Sequence, residues 1–234
     1  MNSVTFLFLL LLSTLCLGQE MSNMELVKKS IAYHDPNNEW HVFQGDFMIE
    51  TNKGKILLKL NNAKGIAIWT EKLKSGDSLT GGYLEKNSCL VQLNGEEITA
   101  KGELEGFLLD CKNIIDRTQY WIYMYGIPMK LMDNTVNFVG SPKLVKFLGE
   151  TMWMIKVNYN LEQTQEYWQF YFSPENYALK ATRFFHPALG KDSEYILYKA
   201  ERSIGGLKLP TQHSWYMFDK KEFIGSENLV ETKN

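Results

Sequence analysis

Residues 117 to 132 read Arg-Thr-Gln-Tyr-Trp-Ile-Tyr-Met-Tyr-Gly-Ile-Pro-Met-Lys-Leu-Met and form the most informative stretch of this chain. They contain four aromatic residues, three methionines and a Gly-Ile-Pro break, with only two charged side chains. Gly126 and Pro128 predict the end of a helix, because neither residue continues one well. A segment this apolar either fills the core of the protein or lines a cavity for an apolar ligand. The two interpretations predict different functions.

The residues around this stretch predict two helices. Between residues 103 and 125, apolar side chains recur every three to four positions, which is typical of a helix with one apolar side. A shorter helix is predicted nearer the N-terminus. Ser22 or Asn23 can cap its start, and Asp35-Pro36 ends it, because a residue before proline avoids helical dihedral angles.

The rest of the chain has the pattern of β-strands. About ten runs alternate in hydrophobicity and are separated by turn residues, mostly at the spacing of an antiparallel meander. One of them, residues 167–173, carries aromatic residues on both faces, so its second face needs cover from helices or from a ligand. The sequence therefore predicts an α+β fold, a large curved antiparallel sheet with a few helices on its concave side. The strand-like runs are residues 40–50, 55–61, 66–70, 78–86, 89–93, 151–160, 167–173, 177–186, 194–200, 208–218 and 222–230.

The N-terminus predicts export. Residues 5 to 12 are almost entirely apolar, and Cys16-Leu17-Gly18 places small residues three and one positions before a cut ahead of Gln19. This run is too short to span a membrane. We therefore expect a signal peptide over residues 1–18, one domain over residues 19–234, and a location in the periplasm or otherwise outside the cytoplasm.

The three cysteines have different predicted roles. Acylation of Cys16 as a lipoprotein is disfavoured, because Leu15 precedes it where a small residue is expected. Cys89 and Cys111 remain after cleavage and could pair in an oxidising compartment, or stay as two separate buried thiols. A domain of this size does not need a disulfide or a metal to fold.

Charge and composition limit the partners. The formal net charge is −2 with both signs interspersed, which argues against nucleic acid, because that would require a basic face. No cofactor-binding motif is present, and we expect a monomer that contacts a membrane or another envelope protein only transiently. Hydrophobic small molecules, lipids or lipoproteins are the expected partners.

Several motifs together resemble an uncharacterised family of proteins secreted into Gram-negative envelopes. That family is similar in architecture to the lipoprotein carriers and sorting proteins of the LolA and LppX type. The resemblance implies a half-open β-barrel of antiparallel strands, closed by helices over an apolar cavity, and it implies lipid binding only by analogy. The motifs are residues 116–132, Phe170 to Leu179, Arg183 to His186, Gly205 to Pro210, and Tyr33 to Pro36 with Trp40.

Two groups of residues are candidates for a ligand site. Arg117 and Lys130 could bind a lipid phosphate or carboxylate at the mouth of the cavity, or they could form ion pairs with Asp116, Asp133 or Glu150. The other group is apolar and would line the cleft, unless its members simply pack in the core. The apolar candidates are Trp40, Trp121, Tyr125, Met129, Trp153 and Phe170.

An enzyme and an interaction scaffold are the alternative functions. The histidines lack the spacing of a metal site, and no nucleophile motif is present. A hydrolase with dispersed residues would use His186, with Asp192 or Glu194, or His213 near a carboxylate. A scaffold would instead bind another protein along an exposed edge of the sheet.

Overall fold

The computed structural model describes residues 21–85, 88–99, 101–159, 167–185 and 193–233. The predicted signal peptide, residues 1–18, lies outside this range. The described residues form the helices α1 (Asn23–His34) and α2 (Cys111–Gly126), with short 3₁₀ helices at Trp40–Val42, Asn62–Lys64 and Met129–Met132. Their strands are β1 (Gln44–Thr51), β2 (Gly54–Asn61), β3 (Ile66–Lys72), β4 (Ser78–Tyr83), β5 (Leu90–Leu93), β6 (Glu96–Glu97), β7 (Glu103–Leu104), β8 (Phe107–Leu108), β9 (Val136–Phe138), β10 (Lys143–Phe147), β11 (Glu150–Tyr159), β12 (Tyr167–Phe172), β13 (Leu179–Phe185), β14 (Ser193–Ile204), β15 (Leu207–Met217) and β16 (Phe223–Lys233).

Fourteen of these strands form one antiparallel sheet in the order β10-β11-β12-β13-β14-β15-β16-β1-β2-β3-β4-β5-β6, with β9 paired to β11. Most neighbours in this order are also neighbours in the chain, as in a meander. The exception is β16, which pairs with both β15 and β1 and so joins the two halves of the sheet. The sheet is not closed into a barrel, and its curved, half-open form with helices on the concave side confirms the predicted fold class.

Helix α1 begins where the sequence predicts it. The Ser22 hydroxyl accepts a hydrogen bond of 3.1 Å from the Glu25 amide, which satisfies a donor of the first helical turn. After the helix ends, the Asp35 carboxylate accepts hydrogen bonds from the Glu39 and Trp40 amides at 2.6 and 3.0 Å. The buried side of α1 packs next to β15.

Helix α2 is shorter than the predicted helix over residues 103–125. Its first residue is Cys111, and the Asp110 carboxylate caps it by accepting a 2.8 Å hydrogen bond from the Asn113 amide. Residues 103–108 instead form the small hairpin of β7 and β8. Glu105 and Gly106, both at positive φ, make the turn of this hairpin, and glycine at the second position accommodates it. The four-residue spacing of Leu104 and Leu108 is compatible with a helix, but the turn at Glu105 and Gly106 places them in two short strands.

Helix α2 is fastened to the sheet at several points. Cys89, just before β5, forms a disulfide with Cys111, with 5.5 Å between their Cα atoms. The Trp69 indole of β3 donates a buried hydrogen bond of 3.1 Å to the Thr118 hydroxyl. The buried side of the helix includes Ile114 and Trp121. These contacts hold α2 over β3, β4 and β5.

One large core joins both helices to the concave face of the sheet, and a second cluster lies on the opposite face. The two aromatic faces of β12 divide between them. Phe170 is in the large core, whereas Tyr171 stacks on Phe147 of β10 with ring centroids 4.0 Å apart. On the second face of β12, Tyr171 is therefore buried by side chains of other strands. Neither of the two described helices is long and apolar enough to cross a membrane.

Candidate functional site: two clefts beside helix α2

Two clefts border α2 on the concave side of the sheet. The first has a volume of about 1020 Å³ and lies among β1, β2, β3, β16 and the α2 residues Arg117, Tyr120 and Trp121. The second, about 520 Å³, is lined by other residues of α2 and by Tyr159 and Trp168 of β11 and β12. Tyr120 lines both clefts. Both volumes fall in or near the range of small-molecule sites, about 300 to 1,000 Å³.

The first cleft combines an apolar wall with charged side chains. Ile56, Phe107, Trp121, Trp215 and Ile224 supply apolar surface. Ile224 is 43% exposed, so its side chain is accessible to a ligand in the cleft. Three lysines, three glutamates and Arg117 also line this cleft.

Arg117 lies in the first cleft but is held by a partner that the sequence did not suggest. Its guanidinium donates two hydrogen bonds, of 2.6 and 2.8 Å, to the Glu71 carboxylate of β3. It also stacks over the Trp69 ring at 4.0 Å and the Phe107 ring at 4.7 Å. Asp116, one of the expected partners, pairs with Lys112 instead. Arg117 is thus fixed as part of the wall.

The second cleft is mainly aromatic. Tyr123 of α2 contacts Tyr159 both edge to face and through their hydroxyl groups, and Trp168 packs edge-on against both rings. Lys130, the other polar candidate, lines this cleft and forms an ion pair with Asp133, one of its three expected partners. The two cationic candidates therefore lie in different clefts.

The apolar candidates divide by burial. Trp121 lines the first cleft, although only 4% of its surface is exposed. Tyr125, Met129 and Phe170 are buried in the large core and line neither cleft. Trp40 and Trp153 are half-buried and pack against that core. The structure thus brings Trp121 and Arg117 together and places the other apolar candidates in or against the core.

Sequence reasoning missed Tyr120, Tyr123, Tyr159 and Trp168. Tyr120 and Tyr123 are three residues apart on α2, so they share the face beside the one that packs in the core. That spacing was visible in the sequence. The contacts of Tyr159 and Trp168 depend on strand pairing, which no local signal gives.

A polar cluster extends from the lining of the first cleft into the core. The Tyr120 hydroxyl donates a 2.5 Å hydrogen bond to the Glu227 carboxylate, whose other oxygen is 3.7 Å from Nδ1 of His213. Burial, and then the negative charge of Glu227, hold the pKa of Tyr120 well above its ordinary value, so it remains a donor. The rings of Tyr125 and Tyr198 pack on His213, each with a centroid distance of 5.0 Å.

This cluster bears on the enzyme hypothesis. His213 lies near the Glu227 carboxylate but at 3.7 Å forms no hydrogen bond with it, and His213 is 1% exposed and lines neither cleft. His186 and Asp192 lie outside the described residues, and Glu194 is at the start of β14. The described residues contain no cluster of three or more His, Cys, Asp and Glu side chains that could hold a metal ion.

Comparisons with solved structures give the following similarities. A domain assigned to the outer membrane lipoprotein-sorting proteins, from Vibrio parahaemolyticus, is similar with a TM-score of 0.51 and 8% identity, over 90% of this chain and 91% of that chain. A LolA superfamily protein from Nitrosomonas europaea is similar with a TM-score of 0.48 and 13% identity, over 91% and 93% of the two chains. At 8% identity the Vibrio similarity establishes the fold alone.

No curated protein sequence matches the chain. A sequence profile does match it, over residues 3–232, and this profile describes a family of unknown function. The match confirms the resemblance to an uncharacterised family that the motifs suggested. Because it spans nearly the whole sequence, the chain belongs to the family of unknown function DUF6503.

Proposed function

We propose that this protein is an exported envelope protein that binds an apolar or amphipathic ligand, such as a lipid, an acyl chain or the acyl part of a lipoprotein. The observation that carries the proposal is the pair of aromatic-lined clefts between the curved sheet and α2. The fold shared with the domain assigned to the lipoprotein-sorting proteins of Vibrio parahaemolyticus supports it by analogy. In this proposal residues 1–18 are a cleaved signal peptide.

The clefts are suited to acyl chains in size and chemistry. Each methylene group removed from water contributes about 0.8 kcal/mol. A chain with half its methylenes shielded would therefore bind with useful affinity. Tyr120 and Trp121 would contact the ligand in the first cleft, and Tyr123 and Trp168 in the second. The methionine of α2 that lines the second cleft, Met124, can adapt to chains of different shape.

The test is binding of a fluorescent fatty acid to the mature protein, together with lipid extraction of protein purified from its own envelope. We expect saturable binding and a co-purifying acyl ligand. Thr135→Trp should block the second cleft and Asn52→Trp the first, because both residues are exposed and line those clefts. At least one of the two variants should lose affinity.

Asn134→Trp is the matched control, since Asn134 is exposed and lines neither cleft. This variant should bind as the unaltered protein does. Absence of both saturable binding and a co-purified lipid would refute the proposal. Binding that survives both blocking variants would place the ligand elsewhere on the protein.

A further inference from the structure

The first cleft has a basic rim. Lys53 lies in the turn between β1 and β2, Lys72 is the last residue of β3, and Lys74 lies in the turn that follows. Because β1 and β3 run in the same direction in the meander, these two turns are at the same end of the sheet. All three lysines are exposed. Although the chain has a net charge of −2, three of its lysines thus lie together at the mouth of the first cleft.

The glutamates of this cleft already have partners. Glu71 is neutralised by the two hydrogen bonds from Arg117. The Glu105 carboxylate accepts hydrogen bonds from the Lys74 and Ser75 amides at 2.9 and 3.1 Å. Glu227 accepts the hydrogen bond from Tyr120. Each acidic side chain that lines the cleft therefore has a donor to at least one carboxylate oxygen, while Oε2 of Glu227 has no hydrogen-bond partner among the described residues.

Unlike the glutamates, the three lysines of the rim have few partners for their charged groups. Among the described residues, neither Lys53 nor Lys74 has an ion-pair partner for its ammonium group. Lys72 donates to the Gly76 carbonyl at 3.3 Å, and its ammonium group also interacts electrostatically with Asp77, without an ion-pair contact among the described residues. These donors stand above the apolar wall of Ile56, Trp121 and Ile224. The cleft thus offers unpaired positive charge next to apolar surface, which is the complement of an anionic amphiphile.

We infer that the first cleft binds an acyl amphiphile whose head group is an oxyanion, either a carboxylate or a phosphate. Lys53, Lys72 and Lys74 hold the head group, and the apolar wall holds the chain. The inference rests on the proposed function and adds the charge of the ligand to it. Exposed ion pairs are weak singly, so the three lysines together are expected to contribute about tenfold in affinity.

The experiment compares dansyl-labelled undecanoic acid with its methyl ester, which has the same chain but no charge. At low salt the acid should bind about tenfold more tightly than the ester, and added salt should reduce the difference. In the combined variant Lys53→Gln, Lys72→Gln, Lys74→Gln, the affinity for the acid should fall to that for the ester. The affinity for the ester should not change.

A control variant carries the same change in charge elsewhere. Lys28→Gln, Lys143→Gln, Lys146→Gln replaces three exposed lysines that line neither cleft, and it should keep the preference for the acid. Equal affinity for acid and ester, or a preference that survives in the rim variant, would overturn the inference while leaving the proposed function intact. Loss of binding of both probes would overturn both.

Two further ligands distinguish the source of the anion. A lysophosphatidic acid of similar chain length should displace the labelled acid, whereas inorganic phosphate alone at the same concentration should not. Displacement by inorganic phosphate would identify a simple anion site and contradict an amphiphile. A failure of lysophosphatidic acid alone would restrict the head group to a carboxylate, within the same inference.

Discussion

The His34 imidazole joins α1 to two strands of the sheet. Its Nδ1 is 2.6 Å from the Lys208 carbonyl of β15, and its Nε2 accepts a 3.0 Å hydrogen bond from the Leu179 amide of β13. These partners require a neutral ring with its proton on Nδ1. Burial lowers the pKa of His34 below its ordinary value, and protonation would place an N–H group against the Leu179 donor.

This geometry predicts that acid destabilises the protein. Between the lowered pKa of His34 and the value of about 6.5 in the unfolded chain, only the unfolded chain binds the proton. The contribution to stability is therefore complete above about pH 6.5 and is lost as the pH falls toward the folded-state value. In that window the free energy of unfolding should fall by up to about 1.4 kcal/mol for each unit by which the pH is lowered. Urea denaturation at several pH values measures it.

The control for this prediction is a second histidine. His34→Gln should be less stable near neutral pH, and it should lose this part of the pH dependence. His41→Gln, at an exposed position, should keep the unaltered slope. Identical slopes for His34→Gln and the unaltered protein would show that His34 is not the titrating group.

The residues of the candidate site were only partly predictable from the sequence. The sequence identified the segment around Trp121 correctly, because its apolar density is local information. It did not identify Glu71 as the partner of Arg117, since these residues are 46 positions apart and meet only through the packing of α2 on β3. Tyr125 was predicted from its position four residues after Trp121 on one helix face, but it is buried in the core. Which face of a helix meets the core and which meets a cleft depends on the rest of the fold.

Among the elements, α2 is the one whose position defines both clefts. The disulfide between Cys89 and Cys111 ties its first residue to the segment before β5. Replacing both cysteines with serine should lower the free energy of unfolding by about 3 kcal/mol, because the bond closes a loop of 22 residues and restricts the unfolded chain. Denaturation without reductant measures this difference.

Reduction of the unaltered protein provides the comparison. With a reductant present, its stability should fall to that of Cys89→Ser, Cys111→Ser, and the double variant should not respond to the reductant. A double variant as stable as the oxidised protein would contradict the prediction. Hydrogen exchange should also be faster in the first turn of α2 once the bond is absent, because that turn then lacks its covalent anchor.

Prediction of elements was best where the hydrophobic period was long and uninterrupted. The first helix and most strands of the sheet follow from their alternation and capping residues. The start of α2 was placed too early because Leu104 and Leu108 continue its period, while the Glu105-Gly106 turn that breaks it is a weak signal. The strands β6 to β10, of two to five residues each, were not predicted.

The last strand, β16, connects the two halves of the sheet. The sequence pattern predicts that β16 is a strand. No local pattern indicates that it pairs with β1, which lies at the other end of the chain. In the sheet β16 lies between β15 and β1, and it is the link between the N-terminal and C-terminal halves. Within it, Leu229 is buried and paired with Ile49 of β1, whereas its neighbour Val230 is 40% exposed on the other face.

These neighbours provide a matched test of that link. Leu229→Ala should lower the free energy of unfolding by about 2 to 5 kcal/mol, as expected for a truncated core residue. Val230→Ala should change it by less than about 0.5 kcal/mol. Because β16 supports both halves, Leu229→Ala should accelerate hydrogen exchange in β1 and β2 as well as in β14 and β15. Faster exchange confined to one half would mean that the halves unfold independently, and the large core shared by both argues against that outcome.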